Sequence, residues 1–192
     1  ALRALLERNN IKDVTILQMG GLAEAMAGLS KGSVDGAVVS PPHTLSLLKQ
    51  GFRELVSPGD LRKLGIGFVT NGIVARRSFA SSNRNIVLRV IKATAEGTKL
   101  MTANEPLTKK LISKYLHIDD PELLHQSYLY VSENFAREPF VPPGAMQWMA
   151  QQLAQMNLVD AKALQTTPNS AFFDNSFVEE LKQSGFFESL WK

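Results

Sequence analysis

The sequence contains no cysteine, and it has three histidines among its 192 residues. Without cysteine there are no disulfide scaffolds, thiol nucleophiles or cysteine-ligated zinc and iron–sulfur sites. The histidines lack HExxH or other zinc-binding spacing, and we expect His117 to be a helix-terminal cation and His125 a surface or half-buried ring. P-loop and GxGxxG motifs are also absent. The sequence therefore predicts a protein that is not an enzyme and has no metal site and no cofactor.

Long apolar runs are missing as well, because charged residues or asparagine interrupt every segment that approaches the roughly 18 to 20 residues of a membrane span. Hydrophobic residues nevertheless make up 44% of the chain, enough to bury a sizeable core. The net charge of +3 mildly favours anionic partners. Basic residues are scattered, with no basic stripe interleaved with aromatic residues, so nucleic-acid binding is not predicted.

The first third of the chain alternates between strand and helix patterns. The stretch ALRALLER opens with helical periodicity, so we expect the chain to begin inside a structural element of a longer protein. After it, the pattern predicts strands at 14–19, 34–39 and 52–56 and helices at 22–32 and 44–51, with Gly32 as a C-terminal cap. This order favours a mostly parallel sheet with helices on its faces, an α/β fold.

The remainder is predicted to be a loop, an extended segment and then helices. Residues 57–65 look loop-like, and 66–79 look extended, with Asn71-Gly72 as a hairpin turn or a bend. Four helices follow, and the first carries the apolar stripe Val87, Val90, Ile91 and Ala95. Asn104 caps the second, and Asp120-Pro121 opens the third. Pro142-Pro143-Gly144 introduces the fourth, which has apolar residues at core spacing: Met146, Met149, Leu153 and Met156. A final short helix follows Asp174 or Asn175 and is stopped by Gly185.

Two turns, each between a predicted strand and the next helix, are the candidate ligand site. In an open parallel sheet, ligands bind beyond the carboxyl ends of the strands, where loops lead into helices. At Gly20 and Gly21 the backbone N–H groups are unmasked, which suits a carboxylate, sulfonate or phosphate group. An ordinary tight turn between strand and helix is the alternative interpretation.

The second turn, Ser40-Pro41-Pro42-His43-Thr44, also has two interpretations. Ser40 as N-cap with Pro41 at the first helical position is a common helix start. The two prolines remove N–H donors, so an anion is better placed at the glycine turn. Ser40, His43 and the proline rings instead suit a partly apolar ligand with one or two polar groups.

The quoted residues resemble a known family. The stretches GLAEAMAGLSKGSVDGAVVSPPHTLSLLKQGFREL, GFVTNGIVARRSF and FFDNSFVEELKQSG are similar to the NitT/TauA-type substrate-binding proteins of bacterial ABC importers. The combination of SPP at 40–42 with VARRSF at 74–79 is the most specific part of the resemblance. His43 departs from the aromatic residue that often follows the prolines in this family.

The resemblance implies a two-lobed periplasmic-binding-protein-like α/β fold with a mostly parallel sheet in each lobe, the first lobe being incomplete in this chain. Residues 1–65 would form the second lobe without its opening strand, and 66–79 the crossing strand and hinge. Residues 80–192 would be a helix-rich return that completes both lobes. Ligand-binding residues would then be Gly20, Gly21, Ser40, Pro41, Pro42, His43, Thr44, Asn71 and Gly72, the last two also belonging to the hinge.

The function implied by the resemblance is capture of a small, anionic organic molecule and its delivery to a membrane permease. The protein would be periplasmic or otherwise extracytoplasmic, and it would meet the membrane only through the permease. Two alternatives share the fold: the effector-binding domain of a regulator, and an enzyme like the thiamine-pyrimidine synthases. The synthases use a cysteine-bearing motif, which this sequence lacks.

Overall fold

The computed structural model describes residues 2–64, 69 and 71–192, of which 62% are helical and none is in a strand. The described residues form twelve α-helices and one 3-10 turn. The helices are α1 Leu2–Arg8, α2 Leu22–Ser30, α3 His43–Lys49, α4 Pro58–Lys63, α5 Arg77–Ser82, α6 Arg84–Ala103, α7 Glu105–Leu116, α8 Pro121–Asn134, α9 Pro143–Gln155, α10 Ala161–Thr166, α11 Ser176–Gln183 and α12 Phe186–Leu190, with the 3-10 turn at Asn169–Ala171.

The predicted α/β fold with parallel sheets is wrong, because the described residues form an all-helical protein. Residues 14–19, 34–39 and 52–56, predicted as strands, contain neither strand nor helix. A strand needs a neighbour to pair its N–H and C=O groups, and β-propensity measures fit to a half-buried pleated surface. That burial is missing here, since Leu17, Val38 and Leu55 are 57%, 60% and 74% exposed.

The helix predictions for the first third are confirmed where local end signals specify them. Helix α2 ends as predicted before Gly32, whose φ of +70° places it in the left-handed region. The N–H of Gly32 donates to Leu29 O, and the N–H of Ser33 donates to Gly28 O at 2.8 Å. These two bonds are the pair that defines the Schellman motif, so the helix ends where a glycine is required.

The later helices also begin close to their predicted starts. Asp120 caps α8 through Oδ1, which accepts hydrogen bonds from the N–H groups of Glu122 at 2.9 Å and Leu123 at 3.0 Å. Pro143 occupies the first turn of α9. Helix α11 follows Asn175, and Gly185, with a φ of +75°, comes after its last turn. Each of these signals acts within a few residues, which is why the sequence reveals them.

One loop prediction is wrong. Residues 57–65 were predicted to be a loop, whereas Pro58–Lys63 forms α4. Ser57 and Asp60 form two reciprocal hydrogen bonds at the start of this helix. Ser57 N–H donates to Asp60 Oδ2 at 3.0 Å, and Asp60 N–H donates to Ser57 Oγ at 3.1 Å. The pattern S-x-x-D is a capping-box signal that could have revealed this helix start. Of the predicted extended segment at 66–79, residues 66–68 and 70 lie outside the described residues, 69 and 71–76 are non-helical, and the last three residues belong to α5 instead.

The described residues divide into two units, one within Ala1–Leu64 and Glu105–Glu133 and the other within Gly65–Asn104 and Asn134–Lys192. In the first unit, α2 packs against α3, on which Leu47 is buried. The second unit contains a hydrophobic cluster in which α11 packs against both α6 and α12. Its buried members are Val87, Ile91, Ala95, Phe177, Val178, Leu181 and Phe187.

The predicted apolar stripes are correct in part. On α6, Val87, Ile91 and Ala95 are buried as expected, but Val90 is 44% exposed. On α9, Leu153 is 40% exposed, and the buried residue of that helix is Ala150. Helical spacing therefore predicts the buried face of α6 more accurately than the buried face of α9.

Candidate functional site

The Gly20-Gly21 turn leads directly into α2 and is exposed. Gly20 has a φ of +89°, a conformation that residues with a side chain rarely adopt, so the predicted sharp turn is present. Gly21 is the N-cap residue of α2, and no side chain among the described residues caps this helix. The first N–H groups of a helix have no partner within the helix and carry a partial positive charge.

Glu24, which was not among the predicted site residues, lies at this turn. A Cβ built on Gly21 would lie 2.6 Å from Oε2 of Glu24, so the carboxylate sits beside the N-cap residue. A carboxylate in the first turn complements the helix dipole, and it repels a second anion. The position of an acidic residue three places after Gly21 is the sequence signal that could have revealed this.

The second turn brings Ser40 and His43 together through the main chain. Ser40 O accepts hydrogen bonds from the N–H of His43 at 3.0 Å and from that of Thr44 at 3.4 Å. Pro42 is the N-cap residue of α3, and the peptide bond between Pro41 and Pro42 is cis. The predicted helix start with Ser40 as N-cap and Pro41 at the first helical position is therefore wrong, because the helix begins at His43.

All five residues of this turn are half-buried. Pro42 O accepts hydrogen bonds from the N–H of Ser46 at 3.2 Å and from its Oγ at 3.5 Å, which attaches the turn to the first part of α3. The imidazole of His43 offers one donor and one acceptor in its neutral form. Proline rings beside a half-buried imidazole give a small surface with an apolar part and a polar part.

The two turns lie in the same unit, before two helices that pack against each other. At the far ends of these helices, Ser30 Oγ donates to Gln50 Oε1 at 3.3 Å. No hydrogen bond within the described part of the chain joins the glycine turn to Ser40 or its neighbours. Asn71 and Gly72, the remaining predicted site residues, are exposed in a non-helical stretch of the other unit.

A group of three ionisable side chains lies where α7 and α8 meet in the first unit. Glu105 Oε1 is 2.5 Å from Lys109 Nζ and 3.0 Å from His125 Nδ1. The hydrogen bond from Lys109, followed by that from His125, lowers the pKa of Glu105. His125 is half-buried and His117 is exposed at the end of α7. The contact between Glu105 and His125 links α7 to α8.

Within the described residues, no group of three or more histidine, aspartate or glutamate side chains is placed to hold a metal ion. None of the helices in those residues is both long and apolar enough to cross a membrane. Comparison with known proteins finds no protein-family model, no curated protein and no solved structure that matches this chain.

Proposed function

We propose that this protein is the solute-binding receptor of an ABC importer. It captures a small organic solute outside the cytoplasm and delivers it to a membrane permease. The geometric observation that carries the proposal is that the turns at Gly20-Gly21 and Ser40–Thr44 lie in one unit, each directly before one of two packed helices. The resemblance to NitT/TauA-type receptors supplies the class of protein.

The chemistry available at these turns supports binding. The exposed glycine backbone carries no side chain of its own at this turn, and the carboxylate of Glu24 lies beside Gly21. The half-buried prolines and His43 offer an apolar surface with a polar ring. Small-molecule sites commonly combine an apolar lining with a few placed polar groups, which is the composition found here. The proposal requires this local surface, and it does not require the parallel sheet that the sequence predicted.

The carboxylate of Glu24 influences which end of the solute can lie against the glycine turn. Its carboxylate occupies the neighbourhood in which the sequence predicted an anionic group. An amine or another hydrogen-bond donor meets no repulsion there, whereas a sulfonate or carboxylate does. An anionic solute is therefore expected to place its charged group away from Glu24 or to displace that side chain.

A thermal-shift screen tests the proposal with sulfonates, carboxylates, nitrate and pyrimidines. A ligand at about one hundred times its Kd stabilises the folded state by about 2.7 kcal/mol. For a chain of this size that corresponds to a rise in Tm of about 5–10 °C. We expect at least one class to produce a saturable rise, and His43→Ala to reduce it without lowering the Tm of the unliganded protein.

The matched control for this screen is His117→Asn, at an exposed histidine in the same unit with a φ of +54°, a conformation that asparagine tolerates. This variant should keep the full ligand-induced rise. The proposal is wrong if no compound class shifts the Tm, or if His43→Ala and His117→Asn respond alike.

A further inference from the structure

Asn71 and Gly72 form the chain's Asn-Gly pair, and both residues are exposed outside any helix. The next helix, α5, begins at Arg77. Between the pair and α5 the chain is open to solvent, with Ile73 47% and Val74 95% exposed. The described residues provide no hydrogen-bond partner for the Asn71 side chain.

We propose that Asn71 is a site of spontaneous covalent modification, in which its amide side chain is converted to a carboxylate through a cyclic succinimide. In the first step the deprotonated main-chain nitrogen of Gly72 attacks Cγ of Asn71. The new C–N bond forms as the bond from Cγ to Nδ2 breaks, and the amide nitrogen leaves as ammonia. Water then opens the ring at either carbonyl and yields aspartate or isoaspartate.

Glycine at position 72 favours the attack because it has no side chain to obstruct the approach of its nitrogen and restricts its φ and ψ angles least. A Cβ built on Gly72 would meet no described atom within 4 Å, and the backbone there does not have the positive φ that excludes alanine. Gly72→Ala is therefore compatible with the fold, and it changes the nucleophile's surroundings by one methyl group.

The same chain provides a protected counterpart at Asn175-Ser176. Asn175 Oδ1 accepts from Val141 N–H and Asn175 Nδ2 donates to Val141 O, both at 2.9 Å. The attacking nitrogen would be that of Ser176, which already donates to Asp174 Oδ1 at 2.9 Å. Both reacting groups are held in other contacts, so this asparagine should resist the reaction that Asn71 undergoes.

The product differs from the starting protein in charge and in chain geometry. Either product adds one carboxylate and lowers the formal net charge of +3 by one. Isoaspartate also inserts one methylene into the main chain at position 71. The modification would therefore act in the second unit, immediately before α5, whether or not the protein binds a solute.

The test is incubation of the folded full chain at mildly alkaline pH, followed by peptide mapping with mass spectrometry and enzymatic methylation of isoaspartyl carboxylates. We expect Asn71 to convert first, the peptide containing Asn175 to stay unmodified over the same period, and Gly72→Ala to slow conversion severalfold. In urea, Asn175 should become reactive while the rate at Asn71 changes little.

The proposal is overturned if Asn71 stays intact in the folded protein yet converts in urea, because the fold would then protect it. It is equally overturned if Asn175 converts as fast as Asn71 in the folded protein, or if Gly72→Ala leaves the rate unchanged. Since none of these readouts uses a solute, their failure is distinct from failure of the proposed receptor function.

Discussion

Lys49 and Asp120 are joined by an ion pair with a distance of 2.6 Å between Nζ and Oδ2, across 71 positions of sequence. The same aspartate uses Oδ1 to accept the N–H groups of Glu122 and Leu123 at the start of α8. One carboxylate thus caps α8 and binds the last residue of α3. It links the two stretches of chain that make up the first unit.

Substitutions at these two residues separate the cap from the ion pair. Both side chains are nearly half exposed, so the pair is screened by water and contributes little. We expect Asp120→Ala to lower the free energy of unfolding more than Lys49→Met, with Asp120→Asn in between because asparagine still caps. Urea unfolding measures all three variants. A larger loss in Lys49→Met would contradict this order.

The pH dependence of stability follows from the same carboxylate. The hydrogen bond from Lys49, with those from the two N–H groups, lowers the pKa of Asp120 in the folded protein. Its contribution is therefore fully present above the unfolded-state pKa of about 3.9 and is lost as the pH falls through the lower folded-state value. Wild type should lose stability more steeply than Asp120→Asn below about pH 4. Parallel curves would show that Asp120 does not contribute.

The end of α2 provides a matched pair of glycine substitutions. Gly32 has a φ of +70°, so Gly32→Ala should cost about 1–2 kcal/mol because a side chain disfavours the left-handed region. At Gly28 a Cβ would approach Met19 Cε at 2.7 Å, but that methyl ends a flexible side chain and can move. Since alanine favours helix over glycine by about 0.5–1 kcal/mol, Gly28→Ala should be close to neutral. Denaturant unfolding measures both variants. A larger loss of stability in Gly28→Ala than in Gly32→Ala would contradict the observed C-cap.

Leucine substitutions measure the packing of the second unit. Leu181 is 3% exposed on α11, within the cluster shared with α6 and α12, and Leu100 on α6 is 50% exposed. We expect Leu181→Ala to lower the free energy of unfolding by about 2–5 kcal/mol, since it leaves a cavity. Leu100→Ala should change it by no more than about 0.5 kcal/mol. Equal losses in the two variants would contradict the observed core.

Helix ends that depend on residues close in sequence were predicted, whereas the pairing and contacts of residues far apart in sequence were not. The aspartate cap of α8 and the glycine stop after α2 act within a few residues, so composition and spacing reveal them. The predicted strands depended on pairing partners that a local pattern does not specify. The contact of Asn175 with Val141, 34 residues away, has no local signal at all.

The candidate site was predicted at the level of turns, not of their contacts. Both turns lie before helices, as expected, but the second helix begins at His43, three residues after the serine predicted to cap it. Glu24 was missed because the glycines alone suggested an anion site. Whether a first-turn carboxylate faces the N-cap residue depends on its side-chain conformation, which the sequence does not show.

Removing the Glu24 charge tests whether its carboxylate weakens the binding of anionic solutes at the glycine turn. If its carboxylate repels an anionic solute there, Glu24→Gln should tighten binding of sulfonates or carboxylates about two- to fivefold, the equivalent of about 0.3–1 kcal/mol. Glu7→Gln, at an exposed glutamate on α1, is the control and should leave the affinity unchanged. Equal affinities in wild type and Glu24→Gln would show that anions do not approach this turn.

Calorimetric titration of the solute that raises the Tm most, into wild type, His43→Ala and His117→Asn, tests the proposed receptor function most directly. We predict saturable one-to-one binding to wild type and His117→Asn, and binding at least about tenfold weaker, equivalent to about 1.4 kcal/mol, to His43→Ala. The absence of saturable binding to wild type, or equal affinity in all three proteins, would contradict the proposal.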